Sequence, residues 1–267
     1  MTSLQLPILW AMLCLYVGAF VLDVYQFFQT SAKVKKAAAV VSVLAVAVNG
    51  VLVVLRGILI QGLPLNNGFE FGMCFALAIG IIYLILLKKF ALNQIGAFIM
   101  PISIALSCWL LNLDMSVNPL NPSLRSYWLS FHVTAAVIAY GTFAISFGLA
   151  IAYLLREQGK LQKMPEAEVL DEVSYKMVFV GMPFLTIMLI TGAVWAEYAW
   201  GTFWSWDPKE TFALVTWLVY AIYLHIRLMR GWRGKKTAIL SIIGFVAVIF
   251  TFFGVSYLLP GLHSYIG

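Results

Sequence analysis

Long apolar runs dominate this chain and limit the kind of fold that it can adopt. A helix crosses the hydrocarbon core of a bilayer with about 20 apolar residues. Runs of about that length fall at residues 7–28, 36–60, 68–88, 92–112, 127–156, 175–196, 209–230 and 237–258. Only 10% of the 267 residues are charged, too few for an ordinary soluble domain. The strands of a membrane barrel need only about ten residues. The sequence therefore predicts an all-α integral membrane protein with about eight transmembrane helices.

Basic residues predict how these helices are oriented, because short cytoplasmic loops collect lysine and arginine. Fourteen of the 17 basic residues lie around the loops after the first, third, fifth and seventh apolar runs. Only Arg56, Arg125 and Lys209 remain for the other face. Both termini are therefore predicted to be extracytoplasmic, in a multi-pass protein. The net charge of +6 then reflects topology and does not indicate nucleic-acid binding.

Residues 195–217, here called the Trp-rich segment, contain an unusual density of tryptophan. Five of the nine tryptophans of the chain lie there: Trp195, Trp200, Trp204, Trp206 and Trp217. Tryptophan is enriched at membrane interfaces, so an anchoring belt is one interpretation. The density favours a second interpretation, an aromatic shelf for a large planar ligand.

A helix start is predicted within the Trp-rich segment. Asp207 is followed by Pro208 and, three positions on, by Glu210. Asp at the N-cap, Pro at the first helical position and Glu at the third form a capping box. This capping role is compatible with either interpretation of the tryptophans.

The three histidines of the chain lie at different predicted depths. His132 falls about one turn into the fifth helix from the outer side, and His263 lies just past the eighth helix. Two neutral imidazoles facing each other can hold an iron axially from opposite sides of a porphyrin, although two unrelated surface histidines remain an alternative. His225 follows Lys209 by sixteen positions, about 24 Å along a helix, and so belongs to the inner half. It is either a ligand or an interfacial polar residue.

The predicted cytoplasmic stretch between residues 157 and 176 mixes charges of both signs with apolar residues. Pro165 and Glu166 are placed to begin an amphipathic helix lying on the membrane surface. Its expected role is to link the fifth and sixth transmembrane helices.

Several motifs spread over residues 125–265 carry a resemblance to a known family. They are Leu170-Asp171-Glu172, Ser174-Tyr175, Thr191-Gly192-Ala193, Trp195-Ala196, Trp200-Gly201, the run from Trp204 to Thr211, Thr216-Trp217-Leu218, Tyr223-Leu224-His225, Gly231-Trp232, Phe253-Gly254-Val255 and Leu262-His263-Ser264-Tyr265. With these motifs the chain resembles the CcsA/ResC component of the bacterial and chloroplast cytochrome c assembly pathway called System II. Residues 1–112, an N-terminal membrane half of four helices, match only in character. Residues 113–267 would be the heme-handling half, with four helices and the Trp-rich segment.

The resemblance implies a heme-handling subunit of a cytochrome c synthase, that is, a heme lyase. It would receive heme b from the cytoplasmic side and present it at the outer face for thioether attachment to the Cys-x-x-Cys-His motif of apocytochrome c. The implied partners are a CcsB/ResB-type membrane protein, without which the chain would be inactive, and a thioredoxin-like thiol reductant. The implied location is a bacterial plasma membrane, or a thylakoid membrane for a plastid-encoded chain. A heme exporter delivering to a separate chaperone, and a scaffold without heme, stay open as alternatives.

The resemblance also assigns site residues. It implies that His132 and His263 are axial ligands of the heme iron at the outer face and that His225 is a ligand of an inner site. The aromatic cradle and its cap would be Trp195, Trp200, Trp204, Trp206 and Asp207, with Lys209 near a heme propionate. The partner would supply the second ligand of the inner site. No residue is singled out as a catalytic acid or base.

Overall fold

The computed structural model describes residues 2–29, 31–90, 92, 94–117, 124, 126–259 and 261, and in these residues it contains helices and no strand. After a 3-10 turn at Thr2–Leu4, the helices are α1 (Gln5–Phe28), α2 (Ala32–Ile60), α3 (Gly68–Phe90), α4 (Gly96–Leu110), α5 (Tyr127–Glu157), α6 (Ala167–Trp200), α7 (Pro208–Met229), α8 (Lys235–Ile249) and α9 (Val255–Leu258). A π-helical segment, Phe250–Gly254, joins α8 to α9. Counting α8 to α9 as one span, seven described helices are long and apolar enough to cross a membrane. The predicted all-α multi-pass membrane fold is confirmed.

Helix α4 is the short member of the bundle. Its 15 residues extend about 22 Å, less than the roughly 30 Å of a hydrocarbon core. Nevertheless it connects the two ends of the bundle: Gly96 lies against the carboxylate of Asp23 near the end of α1, and the Trp109 ring lies over Gly68 and Gly72 at the start of α3. The apolar run predicted at 92–112 is thus helical over a shorter length.

The loops rich in lysine and arginine meet at one end of the bundle, here called the basic end. The Lys163 ammonium donates to the carbonyl oxygens of Phe27 at 2.8 Å and Phe28 at 3.1 Å, at the end of α1. The Lys176 ammonium lies 5.7 Å from the ring centroid of Phe90, at the end of α3. These contacts place the loops after α1, α3 and α5 together. The Trp-rich segment lies at the opposite end, here called the Trp-rich end.

A buried network closes the basic end between α6, α7 and α8. The guanidinium of Arg227 donates to one carboxylate oxygen of Asp171 at 2.6 Å. The other oxygen accepts from the backbone N–H of Gly234 and from the hydroxyl of Thr237, both at 3.1 Å. The Tyr175 ring lies 5.0 Å from the guanidinium carbon. The sequence motifs around 171 and 231–234 therefore meet in one structure that ties three helices together.

One prediction about this end is wrong. Residues 167 onward do not form a separate surface helix, because α6 runs without interruption from Ala167 to Trp200. Glu166 is its N-cap position, so the helix begins where the sequence predicts a helix start. The charged residues of its first turns extend from the membrane span toward the basic end.

Helix α5 is the centre of the bundle. In its most apolar stretch 83% of the residues are buried, against 28% to 56% in the other spans. It packs against α3, α4, α6 and α8. Small residues make these approaches close: a Cβ added at Gly148 would meet the backbone carbonyl oxygen of Phe98 on α4 at 3.1 Å. The first four helices and the last ones are therefore joined through α5.

A second buried network lies at the Trp-rich end, among the first four helices. Arg56 and Glu70 are fully buried and form an ion pair of 3.0 Å. The guanidinium also donates to the side chain of Gln5 at 3.1 Å and to the carbonyl oxygens of Met115 at 2.7 Å and Ser116 at 2.9 Å. These bonds satisfy a charge that is costly to bury alone. They hold the start of α3 at a fixed position beside the Trp-rich segment.

Candidate functional site

His132 lies near the start of α5, at the Trp-rich end, with one ring nitrogen fixed by the backbone of α6. Its Nδ1 is 2.8 Å from the carbonyl oxygen of Met188. A carbonyl oxygen only accepts, so Nδ1 must carry the proton. In the neutral imidazole Nε2 then has a free lone pair. An imidazole that binds a metal usually donates its other ring N–H to a carbonyl or carboxylate oxygen, which fixes its tautomer in this way.

Gly192 makes room for the His132 ring. A Cβ added at Gly192 would fall 2.6 Å from Nδ1 and 2.8 Å from Cε1 of that ring, closer than real Cβ contacts. The ring therefore lies on the α6 turn between Met188 and Gly192. This contact gives a physical role to the Thr191-Gly192-Ala193 motif.

The tryptophans of the Trp-rich segment form two edge-to-face pairs in different surroundings. Trp195 is buried and contacts Trp200, with ring centroids 4.8 Å apart. The Trp195 ring is also nearly parallel to the His132 ring, with an angle of 25° between the planes and 6.3 Å between the centroids. Trp204 meets Trp206 at 5.8 Å and 89°, and Trp206 is 67% exposed. The second pair thus presents an indole ring at the surface of the Trp-rich end.

The fifth tryptophan, Trp217, has a different role. Its indole N–H donates to the hydroxyl of Thr186 at 2.9 Å. This bond links α7 to α6 below the Trp-rich end. Trp217 is therefore a packing residue between two helices.

The start of α7 has the predicted capping box. Asp207 accepts from the backbone N–H of Lys209 at 2.9 Å, and Glu210 accepts from the backbone N–H of Asp207 at 3.2 Å. Glu210 also accepts from the backbone N–H of Ser205 at 2.9 Å. Its carboxylate therefore receives the N–H groups on both sides of Trp206, whose φ of 59° is in the left-handed region that a bulky residue rarely adopts. The cap fixes the backbone from which the exposed indole projects.

A cavity of about 170 Å³ lies among these groups. Its lining includes His132 and Tyr140 from α5, Trp195 from α6, Trp204 from the loop and residues 209, 210 and 213 from α7. Residues 65–68 and 71, at the start of α3, form a further wall. Trp200, Trp206 and Asp207 lie one layer outside the described lining, in contact with residues that belong to it. The cavity is apolar and aromatic over most of its surface, with an imidazole, a lysine and a carboxylate at its wall.

Lys209 is the cation at this cavity. Its ammonium donates to the hydroxyl of Ser256 at 3.0 Å and lies 5.8 Å from the ring centroid of Phe252. Phe252, in the π-helical segment, stacks on Phe71 of α3 with centroids 4.4 Å apart. Single π-helical turns often occur at functional sites. Here the π-helical segment supplies the aromatic ring beside the lysine, and α9, which follows it directly, supplies the hydroxyl.

The other two histidines are placed differently from His132. His225 is exposed on α7, two residues before the buried Arg227 and therefore near the basic end. His263 lies outside the described residues, so its pairing with His132 stays a prediction. The described chain ends at Gly261, where an added Cβ would meet the Asp207 carboxylate at 2.5 Å. Both ends of the described chain thus lie at the Trp-rich end.

Sequence reasoning missed the part of the wall that comes from α3. Asn67 caps this helix by accepting from the backbone N–H of Glu70 at 2.9 Å, and Glu70 in turn pairs with Arg56. The sequence signal was a cap before an apolar run, which predicts a helix start but no site. The contact with the Trp-rich segment arises only from packing through α5.

Comparison with known proteins agrees with this architecture. The sequence pattern of the cytochrome c assembly protein family matches residues 6–263. A protein named cytochrome c biogenesis protein CcsA from Chlamydomonas reinhardtii is 43% identical over 213 residues, covering 76% of this chain and 60% of the algal protein. A protein of that name from Mesostigma viride is 38% identical, covering 76% of this chain and 77% of the relative. This chain belongs to the cytochrome c assembly protein family, which confirms the resemblance to CcsA/ResC.

A solved structure shares the fold. Cytochrome c heme lyase CcmF superposes with a TM-score of 0.74 at 13% identity, over 98% of this chain and 47% of the CcmF chain. At this identity the likeness concerns the fold alone. The match to the Chlamydomonas protein spans less than two thirds of that relative, and the match to CcmF spans about half of the solved chain.

Proposed function

We propose that this chain is the heme-handling subunit of a cytochrome c synthase. It receives heme b from the cytoplasmic side and presents it at the outer face for thioether attachment to the Cys-x-x-Cys-His motif of apocytochrome c. This proposal joins the family membership to the cavity at the Trp-rich end. The observation that carries it is the bond from His132 Nδ1 to the Met188 carbonyl, because it leaves Nε2 free as a ligand.

The residues at the cavity fit one face of a heme. His132 offers an unprotonated imidazole nitrogen, Trp195 and Trp204 offer flat apolar surface, and Lys209 offers a positive charge for a propionate. At about 170 Å³ the cavity is smaller than the roughly 300 Å³ of ordinary ligand sites. The macrocycle would therefore extend out of it. His263 is proposed as the axial ligand on the other face.

The proposed orientation of the helix bundle in the membrane rests on the distribution of basic residues. The loops of the basic end contain most of the lysines and arginines, and such loops stay in the cytoplasm. The Trp-rich end and both termini are then extracytoplasmic, in the plasma membrane of a bacterium or in a thylakoid membrane. The exposed His225, near the basic end, is proposed as a ligand for incoming heme, completed by a partner.

The chain contributes mainly positioning. Bound heme supplies an iron for axial ligation and two vinyl groups to which cysteine thiols add. His132 would hold the iron, Trp195 and Trp204 would limit the rotation of the bound macrocycle, and the capped loop holds the exposed Trp206 against Trp204. Orienting two reactants in this way accounts for several kcal/mol of a barrier, about 7 in favourable cases.

The proposed partners come from the resemblance to the CcsA/ResC family. His225 needs a second ligand, for which a CcsB/ResB-type membrane protein is proposed. Apocytochrome c is the acceptor, and a thioredoxin-like reductant would keep its two thiols reduced. The heme lyase activity is therefore assigned to the complex with its partner.

The test is the absorption spectrum of the reduced full-length protein, purified with its CcsB/ResB-type partner. We expect a bis-histidine heme spectrum in wild type and its loss in the His132→Ala/His263→Ala double variant. Holocytochrome c formation in cells should fall with it. An unchanged spectrum in the double variant would refute the ligand assignment, and a wild-type protein without heme would favour a scaffold. Heme binding with release to a chaperone, and no thioether formed, would favour an exporter.

A further inference from the structure

The two carboxylate oxygens of Glu210 are used very differently. Oε2 accepts from the backbone N–H groups of Ser205 at 2.9 Å and Asp207 at 3.2 Å, and from the Ser205 hydroxyl at 3.3 Å. Oε1 is buried, and in the part of the chain that the structure describes it has no hydrogen-bond partner. Glu210 belongs to the wall of the cavity that contains His132. One oxygen thus holds the Trp-rich loop, while the other is buried without a hydrogen-bond partner among the described residues.

A buried carboxylate oxygen without a donor is unusual, because buried polar atoms are almost always hydrogen-bonded. Because Glu210 belongs to the cavity wall, its unpartnered oxygen can accept a proton or a hydrogen bond from a molecule bound there. The neighbouring charged side chains are not equivalent proton acceptors. Asp207 uses an oxygen to cap α7, and the Lys209 ammonium has only protons to donate. The other titratable groups of the described lining are Tyr140, whose phenol carries its own proton, and His132, whose free nitrogen is proposed to bind iron.

We propose that Glu210 accepts the proton of the cysteine thiol that enters this cavity. The inference rests on the proposed function, in which a thiol of the Cys-x-x-Cys-His segment meets a vinyl group at the mouth of the site. Thiolates, and not thiols, are the nucleophiles. A carboxylate at this wall would raise the thiolate fraction where it is needed.

The step is balanced without any oxidant or reductant. Glu210 Oε1 takes the proton from sulfur, and a sulfur electron pair forms the new C–S bond at the vinyl carbon attached to the ring. The π electrons of the C=C bond take up a proton at the terminal carbon, which Glu210 returns. The S–H group has then been added across C=C, and Glu210 ends ionised, as it began.

Glu210→Gln in the full-length chain, with its partner, tests the proposal. The amide keeps one oxygen to accept from Ser205 and Asp207, so the loop is retained, but its nitrogen cannot accept a proton. General-base catalysis contributes about 100-fold or more. We therefore expect the purified complex to keep its heme spectrum and to attach a Cys-x-x-Cys-His peptide about 100-fold more slowly at pH 7. Glu168→Gln removes an exposed carboxylate from the first turn of α6, at the basic end, and is the matched control that should leave the rate unchanged.

The pH dependence separates a proton acceptor from a structural role. Free cysteine has a pKa near 8.5, so its thiolate fraction rises about 20-fold between pH 7 and pH 9. The Glu210→Gln rate should recover by about that factor, while a loop defect would persist at every pH. Loss of heme from Glu210→Gln, or attachment by this variant at the wild-type rate at pH 7, would overturn the inference about Glu210 but not the proposed function. No thioether from the wild-type complex would instead overturn the proposed function.

Discussion

Two histidines of this chain occupy opposite kinds of surroundings. The ring of His132 lies against α6, with Nδ1 bonded to a backbone carbonyl, Trp195 nearly parallel to it and a cavity beside it. His225 is exposed on α7, between the outward-facing Ile222, 53% exposed, and Leu228, 58% exposed. The His132 imidazole is thus oriented by contacts within the chain, whereas the His225 imidazole lies on the outer surface of the helix bundle.

The difference between the two histidines predicts which of the two proposed sites depends on a partner protein. Orienting an imidazole for metal binding costs side-chain entropy, and the His132 side chain has already lost that entropy when the chain folds. His225 keeps its rotamer freedom until something binds against α7. A site built on His132 should therefore persist in the isolated chain, whereas a site built on His225 should require a partner.

The largest expected effect comes from removing each imidazole in turn. In His132→Gly we expect loss of the heme band of the Trp-rich end, because the iron would lose the ligand that is proposed for it on α5. Free imidazole should restore the band, since the cavity and the Met188 carbonyl remain to bind and orient it. The measurement is the reduced absorption spectrum with and without imidazole.

His225→Gly is the matched variant for this comparison. It should leave the spectrum of already loaded protein unchanged while slowing the loading of new heme in cells. If His225→Gly removed the Trp-rich-end band and His132→Gly did not, the contrast between the two histidines would be reversed.

The sequence predicted much of this contrast, but for incomplete reasons. Residue types and apolar runs placed His132 and His225 at different depths, and the Asp207 to Glu210 pattern predicted a cap that the structure confirms. Two features depended on contacts between distant residues. Neither the carbonyl that faces His132 from 56 positions away nor the α3 wall has a local pattern.

The next largest effect should come from Gly192→Ala. The added methyl group would overlap the His132 ring at 2.6 Å, so the ring or α6 must shift, and we expect this shift to weaken the bond to the Met188 carbonyl. Loss of a hydrogen bond that orients a metal ligand in this way typically lowers the affinity for the metal by about 10- to 100-fold. We expect heme affinity at the Trp-rich end to fall by about 10-fold or more, measured by titrating heme into the stripped protein.

Gly50→Ala is the control for that substitution. Gly50 lies within α2, and a Cβ added there meets no atom within 4 Å. It changes the same residue type in a membrane helix without touching the site, so its heme affinity should equal that of wild type. Equal affinities for Gly192→Ala and wild type would mean that the Met188 bond does not orient the ligand.

The smallest expected effect comes from Trp195→Phe, which leaves the imidazole in place and changes only the ring beside it. Pairs of aromatic rings contribute about 0.5–1.5 kcal/mol beyond their burial. Phenylalanine keeps an apolar ring but reduces the surface that lies over His132 and meets Trp200 at 4.8 Å. Heme affinity should fall by about 2- to 10-fold, and the same titration applied to Trp10→Phe, 50% exposed on α1, should show no change. If Trp195→Phe lost as much heme affinity as His132→Gly, the buried tryptophan, and not the imidazole, would be the principal contact of this site. The contrast between His132 and His225 would then not explain heme binding at the Trp-rich end.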